Sequence, residues 1–255
     1  MFDIKDKVVI VTGASSGIGA ATALMFAKEG ADVAIVARTQ AKLAAVAKNI
    51  EALGRKALVI QADLSKEADT ATIVPKTIKQ FGKIDVLVNN AGIVSEGSLM
   101  DGKILQAYDE TMRTNVRAVI QLTSLAAPHL VKTKGNVINI SSGASLRPSS
   151  KATLLPYYVS KAALDHVTRC AAMELASCGV RVNTVNPGPV DNDFNSNNGL
   201  GDPKVIRQAL INATLQGYIA TNEEIGGVIL FLASEKARSV TGSNYVMDNG
   251  WTLKN

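Results

Sequence analysis

The sequence predicts an α/β fold in which a doubly wound parallel sheet carries helices on both faces. Three observations carry that prediction. Short, continuously apolar runs recur along the 255 residues, stretches with apolar residues at three- and four-residue intervals lie between them, and glycines mark the changeovers. Unbroken apolar runs suit strands buried on both sides, the situation of a parallel sheet covered by helices. Strand–helix alternation implies right-handed crossovers, and in such sheets a ligand binds beyond the carboxyl ends of the strands.

The strand candidates, in order, are Val8–Val11, Val33–Val36, Ala57–Ile60, Val86–Val88, Val137–Ile140 and Val180–Val185. Helical periodicity covers Ile18–Lys28, Lys42–Leu53, Asp69–Phe81 and Ala162–Ala176. Gly30 and Gly54 follow helical stretches where a left-handed residue ends a helix, and each precedes a strand. No Pro/Ser/Gly-rich linker or repeat divides the chain, so residues 1–255 are read as one Rossmann-type domain. The most irregular stretch, Gly188–Pro203, has no helical or strand period until Val205. It begins the segment around 188–220, the candidate for a mobile substrate loop.

Composition narrows the function classes. Hydrophobic residues at 47% and charged residues at 19% suit a packed interior and exclude a disordered or fibrous chain. The 27 basic and 22 acidic residues give +5, but the basic ones are scattered instead of forming a run that tracks a phosphate backbone, so nucleic acid is not an expected partner. Cys170 and Cys178 match neither a redox pair nor a zinc cluster and point to a reducing, cytoplasmic compartment. The first residues, Met1 to Lys7, lack the apolar core of a secretory signal, so the mature chain is expected to start near Met1. Apolar stretches such as Val228–Ala233 fall short of the roughly 20 residues of a membrane span.

Immediately after the first strand comes Thr12-Gly13-Ala14-Ser15-Ser16-Gly17-Ile18-Gly19, followed by an apolar helix. Gly13 permits a tight turn, Gly17 a close approach of backbone to a pyrophosphate, and Gly19 close seating of the helix near the strand. The helix N-terminus then faces the anion. A dinucleotide fits such a site. At the end of the second strand, where an acidic residue would bind the ribose 2′-hydroxyl of NAD, the chain has Ala37, Arg38 and Thr39. A guanidinium pairs with a 2′-phosphate, and the missing acid lifts the repulsion that would exclude it, so NADP(H) is the expected cofactor.

The G-x-x-x-G-x-G spacing resembles the short-chain dehydrogenase/reductase family, as do Asp63-Leu64 after the third strand and Asn89-Asn90-Ala91-Gly92 after the fourth. The resemblance implies cofactor contacts from Gly13, Ser15, Ser16, Gly17, Ile18, Gly19, Arg38, Thr39, Asp63, Leu64, Asn90, Ala91, Gly92, Tyr157, Lys161, Pro187, Gly188 and Val190. Ser16 departs from the basic residue that many NADP-preferring relatives carry there.

Tyr157 and Lys161 stand four residues apart at a helix start, so they share one face. An ammonium beside a phenol favours tyrosinate and should lower its pKa from about 10 towards the operating pH. Ser141-Ser142 closes the fifth strand and Pro187-Gly188 the sixth, bracketing the expected crevice. The family resemblance implies that Ser142 binds the substrate oxygen, Tyr157 exchanges its proton and Lys161 binds the nicotinamide ribose. It further implies that Asn115, in Arg113-Thr114-Asn115-Val116, holds a relay water through its backbone. Ser141 and Tyr158 are the nearest rivals, but Tyr158 has Ala162, not a lysine, four residues on.

The whole set implies hydride exchange between a nicotinamide and a carbonyl or alcohol, with reduction of an apolar, steroid-like ketone as the leaning. A 3-oxoacyl thioester reductase is the alternative, and a non-catalytic NADP(H) sensor or scaffold the reading from another class. The resemblance implies a homo-oligomer, commonly a tetramer. Three departures stand out: a Ser142–Tyr157 interval about two residues longer than usual, containing Arg147-Pro148-Ser149-Ser150-Lys151; Asp191-Asn192 in place of a cofactor-touching threonine; and Asn249 in place of a glycine. His129 and His166 lack partners at ligand spacing, so no metal site is expected. The sole tryptophan, Trp251, is open between core packing and a subunit contact.

Overall fold

The computed structural model describes residues 2–149 and 151–254. Met1, read above as the mature start, and Ser150, within the long interval before Tyr157, lie outside the described residues. Seven strands form one parallel sheet in the order β3-β2-β1-β4-β5-β6-β7. They are β1 (Val8–Thr12), β2 (Asp32–Ala37), β3 (Ala57–Gln61), β4 (Val86–Asn89), β5 (Asn136–Ile140), β6 (Arg181–Pro187) and β7 (Asn244–Met247). The order reverses between β1 and β4, so the loops leaving these strands run to opposite faces and open a crevice between them.

The helices are α1 (Gly17–Lys28), α2 (Gln40–Ala52), α3 (Glu67–Ala71), α4 (Ile73–Phe81), α5 (Ile104–Met112), α6 (Ala118–Thr133), α7 (Leu155–Leu175), α8 (Phe194–Asn197), α9 (Pro203–Ala213) and α10 (Asn222–Ala233). The pleat sorts strand side chains into two cores. Val9, Val11, Val33, Ile35, Val86 and Val88 pack with Phe26, Leu43, Ile50 and Ile229 from α1, α2 and α10. Ile10, Ala34, Val36 and Leu87 pack with Ile73, Leu122, Leu130 and Ala172 from α4, α6 and α7.

All six expected strands are present, and β7 was not foreseen. Its residues Asn244-Tyr-Val-Met are partly or fully exposed at the sheet edge and give no unbroken apolar run. The stretch 69–81, expected as one helix, is two. Pro75 has no amide hydrogen to donate to Ala71, and its ring crowds that carbonyl, so the chain breaks at Thr72, whose hydroxyl donates to Asp69 O at 2.8 Å.

The expected irregularity of 188–203 holds apart from one short helix, α8, and a bridge at Val190. Asn192 Oδ1 accepts from Phe194 N at 2.9 Å and starts α8. Asp202 Oδ1 accepts from Lys204 N at 2.8 Å and caps α9 ahead of its opening proline. Val190 pairs in parallel with Ala220, closing the segment's base.

Candidate active site

A cavity of about 620 Å³ opens at the carboxyl ends of β1, β2, β4, β5 and β6. Its floor is the start of α1. Gly13 and Gly17 have φ of +66° and +53°, a left-handed backbone that other residues adopt at a cost. A Cβ on Gly19 would lie 2.5 Å from Asn90 Nδ2 and collide with the Gly13 carbonyl. The close approach expected at Gly19 is therefore made to a neighbouring loop as well as to the glycine turn. Asn90 Nδ2 donates to Thr12 O at 2.9 Å, and Thr12 Oγ1 accepts from Asn90 N and Ala91 N at 3.0 and 3.1 Å. The β1 and β4 loops are thus joined beneath the cavity, with Ser15, Ser16, Gly17 and Ile18 on its wall.

Arg38, Thr39, Asp63 and Leu64 line one end. Asp63 Oδ1 accepts from Ser65 N and Oγ at 3.0 and 2.8 Å. Burial pushes the Asp63 carboxyl up, but Ser65, Arg38 and Lys66 together outweigh it and hold the group below the usual carboxylate range.

At the other end stand Ser142, Tyr157, Lys161, Pro187, Gly188 and Val190. Ser141 Oγ is buried and donates to Lys161 O at 3.1 Å, whereas Ser142 Oγ accepts from Ala144 N at 3.1 Å beside the cavity. Lys161 Nζ donates to Ile140 O at 2.8 Å and lies 5.6 Å from the centre of the Tyr157 ring. Asn115 sits behind the cavity wall in a π-helical turn, Arg113–Arg117, between α5 and α6. There the Ala118 amide reaches back five residues to Arg113 O. The Asn115 side chain bridges Ile93, through N to Oδ1 and Nδ2 to O at 2.9 Å each, and Ser160 Oγ at 3.1 Å.

Burial pushes the Tyr157 phenol up to about 12, with Ser142 pulling against it and Tyr158 adding to it. Burial also pushes the Lys161 ammonium down to about 8, against the charge of Asp165. The expected lowering of the Tyr157 phenol is therefore reversed. Lys161 gives its hydrogen bond to the Ile140 carbonyl, and loss of hydration outweighs its attraction for a tyrosinate.

A family model described as enoyl-(acyl carrier protein) reductase matches residues 13–252. The chain belongs to the short-chain dehydrogenase/reductase family. It is 38% identical over 254 residues to an L-xylulose reductase of Caenorhabditis elegans, covering 98% of both chains. It superposes with a TM-score of 0.89, at 36% identity, on a short-chain dehydrogenase of Burkholderia cenocepacia in complex with NADP, covering 97% and 98% of the two chains. L-sorbose reductase of Gluconobacter frateurii, complexed with NADPH and L-sorbose, gives a TM-score of 0.89 at 30% identity and 98% coverage of each.

This dehydrogenase/reductase has a cradle that fits a nicotinamide dinucleotide. The two left-handed glycines and the first turn of α1, beside which the Asn192 side chain lies, would offer backbone amides to a pyrophosphate. Among the described residues no helix is long and apolar enough to cross a membrane. Sequence reasoning missed Thr12, although a hydroxyl at the end of β1 was visible. It also missed Lys42, on the cavity wall in the first turn of α2. A cation there is unfavourable with the helix dipole, so packing of the helix alone does not call for it.

Gly19→Ala is expected to destabilise the protein by about 1–3 kcal/mol through overpacking, and to weaken dinucleotide binding. Urea unfolding and cofactor titration check both; a variant equal to wild type in each would show that the loops have room to part.

Proposed function

We propose that this protein is an NADP(H)-dependent oxidoreductase interconverting a ketone and an alcohol, with reduction as the working direction. The observation that carries the proposal is that Ser142, Tyr157 and Lys161 share one cavity with Arg38, which follows an acid-free end of β2. Residues 1–255 are read as one unit, since a single sheet supports both ends of that cavity. Free, exposed Cys170 and Cys178 support a cytoplasmic setting, and family resemblance a homotetramer.

Arg38, four residues before Lys42 on the same wall, supports 2′-phosphate recognition, while Thr39, Asp63 and Leu64 flank the adenosine. Asn90, Ala91 and Gly92 would border the ribose and nicotinamide, and Pro187, Gly188 and Val190 the nicotinamide face. When bound, the nicotinamide cofactor supplies or accepts the hydride at the substrate carbon. A phenol held near 12 is neutral at pH 7, so Tyr157 carries the proton that a reduced carbonyl oxygen needs. Ser142 donates to that oxygen and stabilises its developing charge. The Lys161 ammonium offsets the tyrosinate left behind, and the Asn115 turn holds the relay through which its proton is restored.

The acceptor side is lined by Val94, Leu154, Tyr158, Phe194, Leu200, Leu210 and Trp251, which supports a ketone with an apolar body. Two lining asparagines are engaged within the protein. Asn198 accepts from Val94 N at 2.9 Å and donates to Phe194 O at 2.7 Å, and Asn192 donates to Asn222 at 3.2 Å. A polyhydroxylated ketone is the second reading, favoured by Asn195 and Asn197 on the same lining and by the two similar sugar reductases.

Tyr157→Phe should lower kcat for ketone reduction on the order of 10²- to 10⁴-fold, measured by NADPH absorbance; near-normal turnover would end its acid role. Lys161 is charged below about 8 and neutral above it. The reductive kcat/KM should therefore be level at lower pH and fall about tenfold per unit above that value. A profile level through pH 10 would remove the lysine from the proton path. Arg38→Asp should raise KM for NADPH by about 10- to 100-fold, the worth of a charged hydrogen bond, and leave KM for NADH much less changed. Equal effects on both cofactors would remove the 2′-phosphate assignment.

A further inference from the structure

The sole tryptophan and the longer interval after Ser142 meet at one place. Gly143 follows Ser142 and opens a short helical turn, Gly143–Leu146, whose Ala144 amide is capped by the Ser142 hydroxyl. The Trp251 indole lies against this turn: a Cβ on Gly143 would stand 3.1 Å from Trp251 Cε3 and 3.2 Å from Cζ3. Trp251 also lines the cavity, together with Leu154, Tyr158 and Leu210.

Arg147 fixes the indole from the far side. Its guanidinium carbon lies 5.2 Å from the Trp251 ring centre, and Nη1 donates to Trp251 O and Lys254 O at 2.8 and 2.9 Å. Asp248, nearly buried, holds the turn that presents the indole. Its carboxylate accepts from Gly250 N at 2.9 Å, Thr252 N at 2.8 Å and Thr252 Oγ1 at 2.6 Å. The same segment reaches the end of α9, through Lys254 Nζ to Asn212 O and Thr214 O at 2.6 and 3.0 Å and Leu215 N to Asn249 O at 3.0 Å.

We propose that Trp251 is a specificity-determining residue of the acceptor site, and that Arg147 is the positioning residue that holds its indole against the Ser142 turn. The assignment rests on the carbonyl-reductase reading of this cavity. The indole is a rigid wall beside the serine that would bind the carbonyl oxygen, so it limits the size of the group on one side of the carbonyl. The segment that carries it is bonded to the end of α9 through Lys254 and Asn249, so the wall is anchored at two places. Core packing alone would leave the indole away from the cavity. Arg147, just beyond the serine turn, is placed to hold that wall by its ring contact and its bonds to Trp251 O and Lys254 O.

The test uses the full-length enzyme, NADPH and a series of methyl ketones with alkyl and aryl groups of increasing size. Trp251→Ala should raise kcat/KM for the bulkiest ketone relative to the smallest by about tenfold or more, the discrimination of one or two methylenes, while Kd for NADPH stays within about twofold. Trp251→Phe should fall between Trp251→Ala and wild type. Arg147→Ala should move the ranking the same way and shift Trp251 emission to the red with easier acrylamide quenching, and Arg147→Lys should restore little because its ammonium cannot stack and fork alike. An unchanged ranking in Trp251→Ala, with wild-type turnover intact, overturns the wall assignment. If wild type reduces no ketone, the carbonyl-reductase reading fails by itself. The wall is then judged by Trp251 emission with NADP⁺ and each ketone, where a response supports it and no response overturns it.

Discussion

Where β1 and β4 part, the first turn of α1 is pressed against two loops with no space for a side chain at Gly19. Asn90 is the contact that makes this possible: its amide bonds the Thr12 carbonyl, and its backbone and that of Ala91 bond the Thr12 hydroxyl. Two segments distant in sequence, 12–19 and 90–92, thereby become one surface. The amides at the α1 N-terminus face the cavity because the helix cannot slide outward, and residues 90–92 are held level with them. Gly92 lies next along this surface, where a Cβ would make ordinary contact with Lys161 Nζ at 3.4 Å and Asn115 Oδ1 at 3.5 Å. Cradle and acid/base cluster are thus two ends of one packed seam, and loosening it at Asn90 would disturb both.

The electrostatics follow from the same packing. Lys161 is 4% exposed and has a backbone carbonyl as its near partner, so its ammonium is held at the expense of hydration. The nearest opposing charge is Asp165, one helical turn on and itself buried. Both Asp165 oxygens accept from Asn186 Nδ2, at 3.1 and 3.0 Å, and that amide also reaches Ser142 O at 3.3 Å and Ser145 Oγ at 3.0 Å. A single asparagine on β6 therefore joins the carboxylate behind Lys161 to the serine turn. The result is a neutral phenol beside a lysine poised near its midpoint at mildly alkaline pH, the opposite of the lowered phenol that charge attraction alone would give.

What could be read from the chain follows the physics of each element. Strands covered on both faces are written as unbroken apolar runs, so β1 to β6 stand out, and the residues at their carboxyl ends fall on the cavity because parallel topology puts them there. An edge strand has no such pressure on its composition, and β7 was not visible. The π-helical turn around Asn115 changes the hydrogen-bonding register within a helical stretch, a change that residue pattern alone does not show. Pro75, and the Asp202-Pro203 pair that opens α9, were local signals available in the sequence. The sign of the Tyr157 shift was not available, because burial depends on what lies on every side of a group while spacing reports one neighbour.

The two regions that sequence reasoning described least are the ones that shape the acceptor side. Residues 188–220 and the segment 248–254 have no long apolar period, since each is held by caps, turns and single hydrogen bonds instead of a buried stripe. Such segments change shape when one residue is inserted or exchanged, whereas Gly13, Gly19 and Asn90 admit almost none. The cradle and the Ser142, Tyr157 and Lys161 cluster thus stand at strand ends and on α7, while the rest of the cavity is bordered by segments held by caps and turns. The Arg147–Trp251 contact lies across that division: one partner extends the fixed serine turn, and the other belongs to the adaptable segment. A change in either residue would then act on the cavity wall beside Ser142, whereas Tyr157 and Lys161 are both carried by α7.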